Sequence, residues 1–204
     1  IREAEGRVRL YIRAAWEIYD AKLDRIQTLG QALTLDPRLA AFADAPRAPG
    51  AERALLETLR REQNLDVLLV TDPRGRVLFR AQAPGLAGDA VASDPLVRRV
   101  MATGAASAGT VLLDGDRLAR EGAGLLDRCR RCGSEPRGLL LGAAVPVLRD
   151  GRLVAILQLG SLLNGSFEKV DRIRDSLFAN ERYRGLPVGT ATIFMHDLRI
   201  STNV

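Results

Sequence analysis

Two long apolar runs, residues 138–148 and 152–163, flank the tripeptide Arg149-Asp150-Gly151. A tight turn of this chemistry between strand-forming runs closes a β-hairpin. That pairing constrains the chain more than any other feature, because a hairpin is stable only in a larger sheet with a covered face. A second pair fits the same pattern: residues 66–70 and 76–82 flank Asp72-Pro73-Arg74-Gly75, a run with strong turn chemistry. Residues 108–113 read as a further strand. Strands joined by hairpins predict an antiparallel sheet.

The helical signals lie outside these strands. From about residue 2 to 35, apolar residues recur at Val8, Ile12, Ala15, Tyr19, Ile26, Leu29 and Leu33, the spacing of one long amphipathic helix. The stripe fits core packing, and it equally fits a stalk or dimer seam. Asp36-Pro37 predicts its stop, since the residue before proline is pushed away from helix. Residues 51–63 read as a second helix. Residues 83–93 form a Gly- and Pro-bearing loop, followed by a short helix at 94–103 with Asp94 as N-cap and Pro95 at its first position. Residues 114–137 read as irregular and charged, residues 167–178 as a helix, and 188–194 with 198–204 as two strands turning at His196-Asp197. The order predicts an α+β fold, a long N-terminal helix followed by an antiparallel sheet with flanking helices.

Composition narrows the function. The 204 residues are 47% apolar and 27% charged, as in an ordinary globular protein. The net charge of +5 is carried by arginines scattered among acids, and aromatics make up only 4%. This argues against nucleic-acid binding, which gathers cations on one face and adds stacking rings. No apolar run approaches the ~20 residues that span a bilayer. The first residue is Ile1, as expected of a piece of a larger protein. No metalloprotease, phosphate-loop or serine-hydrolase motif is present, and His196 is the single histidine. The expectation is a binding module rather than an enzyme, with no metal and no cofactor.

Several segments, taken in order, resemble the Cache family of bacterial receptor sensor domains, which are PAS-like. They are residues 65–80 (LDVLLVTDPRGRVLFR), the loop and helix from Pro84 through Val100, and residues 142–164 (GAAVPVLRDGRLVAILQLGSLLN). VDRIRDSLF, GLPVGTATIF and DLRISTNV near the C-terminus resemble the linker and opening strands of a second module in double-Cache receptors. The resemblance implies a stalk helix at 1–35, a PAS-like Cache module at 36–165, and a linker helix with the start of a truncated second module at 166–204. It also implies a periplasmic location between transmembrane helices absent from this fragment. The output would be a methyl-accepting chemotaxis domain, a histidine kinase or a cyclic-dinucleotide enzyme, and the whole receptor could be a homodimer.

By position in that family the ligand pocket lies between the sheet and the loop-plus-helix over it. This selects Arg80, Gln82, Ser93, Arg98, Arg99 and Gln158 as ligand-binding candidates. Arginine suits a small carboxylate because its planar fork donates two parallel hydrogen bonds. Arg98 and Arg99 are adjacent on a helix, so at most one should face a pocket. The small run Gly142, Ala143 and Ala144 could leave room for a ligand or for a packed helix. Cys129 and Cys132 form a CxxC pair. Gly133 stands where haem attachment needs histidine, and one CxxC is half a zinc site. In an oxidising periplasm a local disulfide is expected. A thiol-redox sensor or oxidoreductase using Cys129 and Cys132 is the alternative function, and a purely structural or dimerising domain a third.

Overall fold

The computed structural model describes residues 2–42, 50–131, 136–166 and 174, and the strand residues 182–183, 186–187, 192–195 and 198–202. Helix α1 runs Arg2–Thr34, and its apolar stripe divides in two. From Tyr19 onward, Leu23, Ile26, Leu29 and Leu33 pack on the protein. Before it, Leu10, Ile12 and Trp16 are each more than half exposed. Gly30 marks the closest approach to the sheet: a Cβ there would lie 2.7 Å from Val145 Cγ2 and 2.8 Å from Leu159 Cδ2. Asp36-Pro37 both follows the end of α1 and starts α2 (Pro37–Ala41), with the Asp36 carboxylate accepting from Arg38 N at 3.0 Å. Helix α3 (Gly50–Glu62) completes this layer.

Five strands follow: β1 (Val67–Thr71), β2 (Val77–Arg80), β3 (Ser107–Leu113), β4 (Gly138–Arg149) and β5 (Arg152–Leu162). They form one antiparallel sheet in the order β2-β1-β5-β4-β3. In the first hairpin, Asp72 accepts from the backbone of Arg74 and Arg76 at 2.8 and 2.9 Å. In the second, Asp150 and Gly151 have φ of +51° and +74°, and Arg149 opposes Arg152. Positive φ at both central residues is the type I′ geometry that matches strand twist.

Between β2 and β3 lies α4 (Pro95–Thr103), capped as its sequence predicts: Asp94 accepts from Leu96 N and Val97 N at 3.0 and 3.3 Å. The stretch expected to be irregular instead holds two helices, α5 (Gly115–Glu121) and α6 (Ala123–Arg130). Asp114 caps α5 by accepting from Arg117 N at 2.8 Å. Burial of Leu118, Leu125 and Cys129 against the sheet outweighs the surrounding charge in deciding its structure.

The sheet is covered on both faces. Leu68, Val70, Phe79, Ala143, Val145, Leu157 and Leu159 meet the α1–α3 layer. Leu69, Val77, Val111, Leu140, Ala144 and Ile156 meet α4, α5 and α6. Neighbouring Ala143 and Ala144 therefore face opposite layers, as the two-residue period of a strand requires. Gly142 opposes Gly160, and a Cβ on Gly160 would lie 2.7 Å from Leu141 O. The glycines thus let the strands pack closely. Near the C-terminus, β6 (Arg182–Tyr183) pairs with β7 (Leu186–Pro187), and β8 (Thr192–Met195) with β9 (Leu198–Thr202). The expected helix at 167–178 and the His196-Asp197 turn lie outside the described residues, apart from Arg174.

Candidate functional site

The register aligns Arg80, Leu69, Gln158, Ala144 and Ser107 in one row across the sheet. Gln158 and Arg80 are fully buried polar residues on a face that is mostly apolar. Such groups must find partners, and theirs come from the layer above.

Arg80 donates from Nη1 and Nη2 to Asp89 Oδ1 and Oδ2 at 2.7 and 2.8 Å, a bidentate pair. Its Nη1 also donates to Leu86 O at 2.9 Å, and its Nε to Glu121 Oε1 at 3.1 Å. Glu121, 2% exposed at the end of α5, is shared: Arg117 Nε donates to the same oxygen at 2.6 Å. Arg117 Nη2 donates to Gln158 Oε1 at 2.9 Å, and Gln158 Nε2 donates to Asp94 Oδ2 at 2.7 Å. Burial opposes the Arg80 charge, but Asp89 and Glu121 outweigh it and hold its pKa above the ordinary arginine value. The hydrogen bonds from Arg80 hold Asp89 below the usual carboxylate range.

Over this network lies a cavity of about 290 Å³. One wall is the 89–95 segment with Ser93, Asp94 and Pro95, and another is the end of β3 with Val111, Leu112 and Leu113. Asp114, Arg117 and Arg120 close it. The volume is at the lower end of ligand sites and suits a small organic molecule. Arg117 lines it with its fork pinned by Glu121 and Gln158, while its Nη1 has no hydrogen-bond partner among the described residues. A guanidinium held in place with donors to spare is what carboxylate recognition needs. A second cavity of about 280 Å³ lies between α1 and the sheet, lined in part by Lys22, Arg25, Asp66, Arg128 and Ser161.

The six residues expected to bind ligand are distributed unevenly. Ser93 lines the first cavity. Gln158 and Arg80 lie beneath it, joined to it through Arg117 and Glu121. Gln82 is half-buried and packs on Gly122, where a Cβ would meet its Nε2 at 2.8 Å. Arg98 and Arg99 are both exposed, because Leu96, Val97 and Val100 take the inward side of α4. Gln82, Arg98 and Arg99 line neither cavity described above. Sequence reasoning missed Arg117, Glu121 and Asp89. The four-residue spacing of Arg117 and Glu121 behind the Asp114 cap was their signal, hidden by reading 114–137 as irregular.

Cys129 is buried on α6 at 1% exposure, the setting of a packing thiol rather than an accessible nucleophile. Cys132 lies outside the described residues, and with it the expected disulfide. Among the described residues no cluster of three His, Cys, Asp or Glu side chains is placed to hold a metal, and no helix is long and apolar enough to cross a membrane.

No family model and no curated protein matches the chain. Solved structures do. A domain of a protein from Vibrio parahaemolyticus, described as of the sensory box/GGDEF family, aligns over 85% of the chain at 17% identity with a TM-score of 0.52. The extracellular domain of a protein described as a histidine kinase aligns over 81% at 16% identity with a TM-score of 0.48. The chain spans 63% and 62% of those two structures. The likeness to the Vibrio parahaemolyticus domain shows the fold alone: α+β, with a PAS-like antiparallel sheet.

Proposed function

We propose that the chain is the extracytoplasmic sensor domain of a transmembrane signalling receptor, and that the cavity over Arg117 binds a small organic carboxylate. The observation that carries the ligand class is Arg117 itself, oriented by two buried partners and presenting unused donors to a cavity of small-molecule size. The PAS-like fold and the two solved neighbours, one sensory and one extracellular, support the sensor reading. In this reading Ser93 adds a hydroxyl at the cavity wall, and Arg80 and Gln158 act by holding Arg117 and its partners. The domain binds and performs no chemistry. Residues 166–204 begin a second module, and the receptor is a chemotaxis protein, a histidine kinase or a cyclic-dinucleotide enzyme anchored by transmembrane helices, working as a homodimer.

Titration with acetate, succinate and malate, followed by backbone amide shifts in two-dimensional NMR, tests the site. The largest shifts are expected at Ser93 and residues 114–121. Shifts concentrated at Lys22, Arg25 and Ser161 would place binding in the α1 cavity and overturn the assignment.

A further inference from the structure

The buried network returns to the segment it starts from. Asp89 opens it from the segment that covers the sheet here, residues 88–94, and Arg80, Glu121, Arg117 and Gln158 carry it beneath the cavity. It ends on Asp94, five residues further along the same segment and the cap of α4. Each link is a hydrogen bond of 2.6–3.1 Å, and five of the six residues are charged groups, two arginines (Arg80 and Arg117) and three carboxylates (Asp89, Glu121 and Asp94). The covering segment is also laced to the β1–β2 hairpin by its backbone: Val77 N donates to Asp89 O, Gly88 N to Val77 O and Val91 N to Gly75 O, all at 2.8 Å. It is therefore no free flap. Among the described residues helix α5 makes no such backbone seam to the covering segment; its side chains reach it through Glu121 and Arg117, and through an outer contact of Arg120 Nη1 with Asp89 Oδ2 at 3.9 Å.

We propose that this closed ring of side chains is the conformational relay of the domain, joining both ends of the covering segment to α5 with Arg117 at the ring's cavity-facing position. The proposal rests on the cavity reading only for its consequence. A carboxylate bound at the unused Nη1 of Arg117 would share that guanidinium's charge with Glu121 and weaken Glu121's hold on it, leaving Glu121 more fully to Arg80. The disturbance would then reach Asp89 on one side and, through Gln158, the α4 cap on the other. A ligand shifts an equilibrium only by binding its states unequally, and competition with Glu121 for the charge of Arg117 supplies that inequality.

The relay is testable without any ligand, so its failure would leave the binding reading standing. Asp89 and Gln158 are separated in the ring by Arg80, Glu121 and Arg117. A double-mutant cycle of Asp89→Asn and Gln158→Met, read as unfolding constants in urea, measures whether they communicate. The relay predicts a double variant that departs at least fivefold from the product of the single effects. Agreement with that product within twofold would overturn it. Should Gln158→Met fail to give a cooperative transition, Arg117→Lys takes its place. It keeps the charge and loses the planar fork, and the same two thresholds decide.

Discussion

Replacing Arg80 with methionine removes the centre of the buried network at little change in volume. The side chain is 1% exposed and holds Asp89 in two hydrogen bonds, Leu86 O in one and Glu121 in one. Removing one partner of a buried ion pair costs about 3–5 kcal/mol, because the other charge is left uncompensated. Two features place Arg80→Met near the lower end. Glu121 keeps Arg117, and Asp89, whose side chain is 18% exposed, can recruit water. About 3 kcal/mol, at 2–4 °C per kcal/mol for a domain of this size, is a fall in Tm of about 6–12 °C. Circular dichroism melts at pH 7 measure it. Adding Asp89→Ala to Arg80→Met should restore part of the loss, since removing both partners strands less charge. A single-variant loss below about 1 kcal/mol, or a double variant as unstable as the sum of the singles, would refute the view that paired charge holds this region together.

Other outcomes follow from the same coordinates. Gly160→Ala should destabilise by about 1–3 kcal/mol in urea unfolding, since its Cβ would meet Leu141 O at 2.7 Å and neither backbone can easily yield. Asp94→Ala removes the α4 cap and the partner of Gln158, so the loss should exceed the typical capping effect of about 1 kcal/mol. Asp89 has a folded pKa below its unfolded value, so its stabilisation is full above about pH 4 and is lost as pH falls through the lower folded value. The gap in stability between the native protein and Asp89→Asn should accordingly be constant from pH 7 to 5 and narrow below pH 4.

Most of the fold was legible because local chemistry and burial agree there. Asp150-Gly151 supplied the turn, alternation supplied the strands, and Asp94-Pro95 supplied a helix start. At Asp36-Pro37 the same chemistry was read only as a stop, although it also caps a helix. The site was less legible. Arg80 and Gln158 drew attention as polar residues in apolar strands, and both lie in the network. Two of their partners, Glu121 and Arg117, sit on α5, a seven-residue helix with four charges, whose helicity depends on Leu118 reaching the core rather than on a visible stripe. Arg98 and Arg99 were chosen by position, but the apolar side of α4 turns both to solvent.

Carboxylate binding through Arg117 is read from the Tm of the native protein and of Arg117→Ala across a panel of small carboxylates, amino acids and other metabolites. A ligand at one hundred times its Kd adds about 2.7 kcal/mol, or about 5–11 °C for a domain of this size. The account predicts a rise of that order from one class of carboxylates in the native protein and a much smaller one in Arg117→Ala. A flat response from the folded native protein, or an equal rise in both, would contradict it.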